Sequence, residues 1–267
     1  MTTLQSFGTS LPAGTRARLM VRRVYRPACA GLLAAVAIAA LSAQAPQAVP
    51  ITPFSGGTVG APPPPPWHVV RINERKRLTA YEIVADGSRP VLHAHADAAA
   101  SALGHPLQAS VAATPWLSWS WKVDGPVPGA DPSVASREDS PARIVLEFDG
   151  DRSSLPLVDR AIDEVSLRLS GRHLPYATLM YVMAERLPIG TIVPNPHTGR
   201  VQMIVAGDPA AEAGSWHSVT RNVLEDYRRA FGEEPNALVS IGVLTDSDNT
   251  GGHAEAWYGD LTLTPRR

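Results

Sequence analysis

From Trp116 to Val123 the chain alternates without a break: Trp119, Trp121 and Val123 fall on one side, Ser118, Ser120 and Lys122 on the other. A period of two marks a strand with one buried face, because successive side chains leave a pleated backbone in opposite directions. The same period recurs along most of the chain. Tyr81, Ile83 and Ala85 alternate with polar neighbours, Asp86-Gly87 makes a turn, and Pro90 to Ala96 resumes the pattern, which together read as a hairpin. Ala142 to Phe148 puts Ile144, Leu146 and Phe148 opposite Arg143, Val145 and Glu147. Further strands are expected at 177–183, 200–206, 215–219, 237–244 and 256–263. Many short strands parted by Gly and Pro turns predict a mainly β chain folded as a β-sandwich.

Two segments break this period. Val158, Ile162, Val165 and Leu169 recur at helical spacing, with Gly171 available as a stop. Leu224, Tyr227 and Phe231 share a second helical face, opened by an Asn222/Glu225 capping box and closed by Gly232. Two short helices are therefore expected beside the sheets.

The first 43 residues have a different character. Arg16, Arg18, Arg22, Arg23 and Arg26 precede an apolar run of 14 residues, Ala28 to Leu41, and small residues follow at Ser42 and Ala43. This is the layout of a secretory signal peptide, and the run is shorter than the roughly 20 residues a spanning helix needs. Cleavage is expected after Ser42 or Ala43. Met20 is a candidate initiator, because Met-Val-Arg-Arg is an ordinary signal start. Residues 44–66, rich in Pro and ending in Pro62 to Pro66, read as a semi-rigid polyproline linker. One domain is expected over 67–267, in a periplasmic or secreted protein.

The lone cysteine, Cys29, lies inside the leader, so the remaining chain has neither disulfides nor thiol chemistry. Five of the 24 basic residues precede residue 43 and all 25 acids follow it, which leaves a formal charge of −6. That argues against nucleic acid or an anionic membrane as partner, since both require a basic footprint.

The candidates for chemistry are local. In Asp246-Ser247-Asp248-Asn249-Thr250-Gly251-Gly252, oxygen donors at positions 1, 3 and 5 resemble the start of a calcium loop, but the twelfth position is Trp257 rather than a bidentate Glu. The same residues also make a self-bonded turn. Asp246, Asp248, Asn249 and Thr250 are thus a calcium site or a turn. Asp139 and Arg143 suit a charge-assisted pair at a strand start, and with Tyr181 they form a candidate polar pocket. Trp119 and Trp121 belong to the core by their alternation, whereas Trp116 and Trp216, beside turn residues, are candidates for an aromatic sugar platform. His93 and His95 share a strand face with Asp97, a two-ligand start to a metal site with no third ligand marked by spacing. Glu147 and Asp149 form a possible carboxylate pair for glycoside chemistry. The motifs G-x-S-x-G, H-E-x-x-H and C-x-x-C do not occur.

Taken in order, Trp119-Ser120-Trp121-Lys122-Val123, Asp139 to Leu146, Leu179-Met180-Tyr181-Val182, Asn195 to Arg200, Asp226-Tyr227, Thr245 to Thr250 and Tyr258-Gly259-Asp260 resemble a family of exported bacterial proteins, domain of unknown function 3047. The chain departs from that pattern at Met183, where the family tends to have tryptophan. The resemblance implies export and a jelly-roll-like sandwich akin to carbohydrate-binding modules; it carries no established activity and so supplies no catalytic residues. The expected function is a non-enzymatic binding module for a glycan or other envelope component. The alternatives are a glycoside hydrolase or lyase using Asp139, Glu147 or Asp246, and a structural partner in an envelope assembly.

Overall fold

A computed structural model describes residues 47–170, 173–195 and 198–266. The leader expected over 1–43 and the helix stop expected at Gly171 lie outside the described residues. The strands are β1 (His68–Val70), β2 (Ala80–Asp86), β3 (Arg89–Asp97), β4 (Ala100–Ala109), β5 (Trp116–Val123), β6 (Ser140–Phe148), β7 (Ala177–Met183), β8 (Ile192–Pro194), β9 (Val201–Gly207), β10 (His217–Asn222), β11 (Leu238–Asp246), β12 (His253–Tyr258) and β13 (Thr262–Thr264). The helices are α1 (Leu157–Ser170) and α2 (Val223–Phe231).

Seven strands pair in the order β1-β4-β11-β6-β7-β9-β8, and a second sheet runs β10-β5-β12-β3-β2 with β13 also on β5. All pairs are antiparallel except β7 with β9. The chain crosses repeatedly between sheets: β1 to β2, β3 to β4, β4 to β5, β5 to β6, β9 to β10, β10 to β11 and β11 to β12. The result is a mainly β, jelly-roll-like sandwich, as the alternation and the resemblance led one to expect. Its core holds the apolar faces of both sheets, with Trp119, Trp121, Ile144, Leu146, Phe148, Tyr181 and Tyr258 at the centre. No helix among the described residues is long and apolar enough to cross a membrane.

Two local expectations change. The strand expected over 256–263 is two strands, broken at Gly259, where an ideal Cβ would overlap Ser120 Oγ of the adjacent β5. The segment expected to be a spacer is latched to the sandwich from Val49 to Trp67: Val49 N–H donates to Leu263 O (3.0 Å), Trp67 Nε1 to Thr52 O (2.8 Å), and Ser55 N–H to Asp260 Oδ1 (2.9 Å). Phe54 is the reason. It is the one aromatic residue in 44–66, and it is fully buried against the Trp67 ring at 4.6 Å. Burying such a ring stabilises by about 1.5–3 kcal/mol, enough to hold a short segment down.

A third finding concerns α1, whose helical spacing does not mark a buried face: Val158 is 69% and Val165 54% exposed. Among its described side chains the buried one is Asp163, at 7% exposure. Asp163 accepts bonds from Leu174 N–H (2.7 Å), His173 Nδ1 (2.8 Å) and Arg152 NH1 (3.2 Å), so a polar clasp holds the helix. By contrast α2 forms as expected: Asn222 Oδ1 accepts from Glu225 N–H, Gly232 closes it at φ 70°, and Tyr227 is fully buried.

Candidate functional site

The structure splits the expected polar pocket. Arg143 stands opposite Val182 and Ile144 opposite Tyr181, so Arg143 and Tyr181 leave adjacent strands toward opposite faces. Tyr181 points into the sandwich, stacks on Trp119 at 5.1 Å and donates to Asp226 Oδ2 (2.9 Å). The charge on Asp226 is matched by Arg221 (Nε 2.8 Å, NH2 2.6 Å) and Arg229 (3.1 Å). Tyr181 is a core residue, and no ligand can share a site with both it and Arg143.

Asp139, Arg143 and Asp246 do meet, on the outer side of the seven-stranded sheet. The predicted partner of Arg143 was Asp139; its actual partner is Asp246, through Nε (3.1 Å) and NH2 (3.0 Å). Arg143 NH2 also donates to Glu138 O, and Asp246 Oδ1 accepts from Ser140 N–H (3.0 Å). Asp139 turns instead to the loop, accepting from Asn249 N–H (3.1 Å), Thr250 N–H (2.7 Å) and Thr250 Oγ1 (2.7 Å). The space beside Asp139 that Pro141, Met183 and Ala184 also line is about 10 Å³, at the limit for a single water. The bonds of these residues hold the fold together.

The same bonds bear on the calcium loop. Carboxylate oxygens of Asp139, Asp246 and Asp248 approach within 4.8 Å of one another. The oxygens of Asp139 and Asp246 are already turned to protein donors, and Asp248 Oδ2 pairs with Lys76 Nζ (2.7 Å). Asn249 and Thr250 present backbone N–H groups and a hydroxyl hydrogen to Asp139, the geometry of a stapled turn. Burial, first, and the nearby Asp139 charge push Asp246 up to about 6 against the pull of Arg143.

The tryptophans are mostly structural. Trp119 and Trp121 are buried, as their alternation required. Trp216, a candidate platform, donates through Nε1 to Asp86 and carries the Arg89 guanidinium over its ring at 4.4 Å, so one face is taken. Trp116 is half-buried at the start of β5, between Asn222 of β10 and Thr264 of β13. Met183 is buried in the core, where a change from tryptophan alters packing.

The open site lies elsewhere on the seven-stranded sheet. Its outer face carries a cleft of about 860 Å³, walled by α1 on one side and by the stretch around His68–Ile72 on the other. Strand alternation builds the floor. Val145 and Glu147 of β6, Thr178 and Met180 of β7, and Ser240 and Leu244 of β11 project into it, and the residues between them fill the core. Ser240 stands directly opposite Glu147. Burial raises the Glu147 carboxyl above its ordinary range, and the Ser240 hydrogen bond and His68 only partly offset this. Asp149 does not join it: it lies beyond the strand end, with its carboxylate on the N–H of Gly150. The other acids of the cleft are engaged, Glu74 by Arg71 Nε (3.6 Å), Asp159 by Thr198 Oγ1 (2.8 Å) and Asp163 in its clasp. Near the rim Arg200 lies over the Tyr176 ring at 4.2 Å and pairs with Glu233 (2.7 Å). Glu147 was visible in the sequence; the cleft was not, because β4, β11 and β7 come from distant parts of the chain.

A jelly-roll-like sandwich with an open cleft on a sheet face is the class that fold and site define. The family model described as "Protein of unknown function (DUF3047)" matches residues 65–262, and the chain belongs to that family. No curated protein matches it. Among solved structures it is similar to Endoglucanase 3 of Trichoderma harzianum, from family GH12, at 11% identity over 70% of this chain and 84% of that one, TM-score 0.35. It is also similar to the xyloglucanase domain of NopAA, a type three effector from Sinorhizobium fredii, at 10% identity over 74% and 96%, TM-score 0.30. A third is the cellulose induced protein Cip1, at 10% identity over 75% and 92%, TM-score 0.29. At these TM-scores the likeness carries no residue or activity to this chain.

Proposed function

We propose that this is an exported, non-enzymatic binding module whose cleft over the seven-stranded sheet holds a glycan or another cell-envelope component. The observation that supports it is the cleft itself. At about 860 Å³ it lies within the size range of small-molecule sites, roughly 300–1,000 Å³. Its floor interleaves hydrogen-bonding groups (Glu147, Ser240, Thr178) with apolar ones (Val145, Met180, Leu244). A sugar ring presents the same mixture, hydroxyls at the edge and C–H groups on the face. The leader expected in the sequence supports an envelope location.

Thermal unfolding against a panel of envelope sugars tests this. Ligand at about 100-fold over Kd adds about 2.7 kcal/mol, which for a chain of this size raises Tm by roughly 5–10 °C. The shift is expected to vanish in Val201→Trp, which fills the cleft from β9, and to shrink in Glu147→Gln. If no sugar moves Tm, the glycan reading fails and the search turns to pull-downs for a protein partner.

One observation favours a second reading, a carboxylate-dependent hydrolase or lyase: Glu147 lies in a cleft, and burial shifts its carboxyl upward, the direction a general acid needs. Turnover of any glycoside that Glu147→Gln abolishes would establish it in place of the binding module.

A further inference from the structure

On the opposite side of the molecule, the outer face of the six-stranded sheet gathers a second set of groups. His93 and His95 project from β3, and β12 lies beside it with Glu255 opposite His95, Trp257 opposite His93 and His253 opposite Asp97. Two imidazoles converge on one carboxylate oxygen: His95 Nδ1 is 2.7 Å from Glu255 Oε1, and His253 Nε2 is 3.3 Å from the same atom. The ligand atoms of His95, His253 and Glu255 all lie within 4.8 Å of one another. His93 Nε2 bonds the other oxygen, Oε2, and so fixes the plane of the carboxylate.

We propose that His95, His253 and Glu255 form a binding site for a divalent transition metal, with zinc(II) the ion that fits best. Two imidazole nitrogens and one carboxylate oxygen are a donor set suited to zinc, which takes three protein ligands and leaves a fourth position open where it meets solvent or substrate. Tetrahedral bonds of about 2.0–2.1 Å place neighbouring donor atoms about 3.3 Å apart. The His253 separation already has that value, and the His95 separation needs about half an ångström of movement. His93 is a positioning residue: its bond to Oε2 orients the ligand, as outer-shell partners of metal ligands generally do. Entry is unobstructed, because the side chains of His95 and His253 are 44% and 50% exposed. The site owes nothing to the cleft, which lies on the other sheet.

The test uses the protein as the cell produces it, purified without a histidine tag, stripped with chelator and titrated with zinc(II) by calorimetry. One zinc per chain is expected. His253→Ala and Glu255→Gln each weaken it by at least about 10-fold, and His93→Gln by about 10-fold, the usual effect of an outer-shell partner. His253 is half-exposed at a strand start, so its variant folds, and an unchanged Tm without metal verifies that. Cobalt(II) on the unsubstituted protein gives a second readout, intense visible absorption from a tetrahedral site. No zinc uptake overturns the proposal. So does uptake left intact in His253→Ala and Glu255→Gln, which would put the ion elsewhere, with the Asp139, Asp246 and Asp248 cluster next to examine.

Discussion

Replacing Arg143 with Met should destabilise the domain severely without touching ligand binding. Arg143 is 1% exposed, and its guanidinium meets Asp246 through two bonds near 3 Å. Removing one partner of a buried ion pair leaves an uncompensated charge, which costs about 3–5 kcal/mol. For a chain of this size that is a fall in Tm of roughly 6–20 °C. The loss should also depend on pH. Burial already holds the Asp246 carboxyl at about 6, above its unfolded value, so its ionised form opposes folding as pH rises from about 4 through 6. Arg143 is what restrains that rise, and without it the carboxyl climbs further. The deficit of Arg143→Met is therefore larger at pH 8 than at pH 5, where Asp246 is mostly protonated in both proteins. Adding Asp246→Leu removes the stranded charge, and the double variant should recover much of the loss, because apolar replacement of a whole buried pair is often neutral. Urea unfolding of the four proteins of this cycle at both pH values measures each quantity. A loss below about 1 kcal/mol for Arg143→Met, or two single losses that simply add, would refute the structural role and return Arg143 to the list of ligand contacts.

Asp163→Asn should loosen α1 selectively: amide exchange over 157–168 rises while the sheets keep their protection, and global stability falls by about 1–2 kcal/mol from the lost charge-assisted bonds. Uniform exchange across the domain would show that the clasp does not hold the helix by itself. Gly259→Ala should cost about 2 kcal/mol or more through its overlap with Ser120 Oγ, and adding Ser120→Ala, which deletes that oxygen, should restore most of it. Failure of the second change to rescue the first would place the constraint in the backbone instead.

Where the chain keeps a strict period of two, the sequence is a sufficient guide. β5 and β7 have the bounds their patterns predict, and β6 exceeds its prediction by only two residues. β4 escapes notice because Gly104 and Pro106 interrupt it and its core-facing side chains include Ser101 and His105, although it pairs on both sides with β1 and β11. Close approach explains part of that: a Cβ on Gly242 of β11 would come within 2.8 Å of Leu103 O, so this seam is chosen for backbone contact and not for apolar bulk. The helix α1 misleads for the reverse reason, since its apolar spacing is real but its anchor is Asp163. The metal cluster was half legible. The alternate histidines of β3 announce themselves, while His253 and Glu255 arrive only through the pairing of strands some 160 residues apart. Long-range register of that kind leaves no local trace.

The sandwich has two outer faces, and each bears a candidate site. Packed sheets lie about 10 Å apart, and physiological salt screens exposed charges beyond about 8 Å, so an ion on one face and a ligand on the other scarcely sense each other. Their contributions to stability should add, and both sites can be filled at once. A module built this way can be tethered through one surface while the other stays at work, joining two objects that have no affinity for each other.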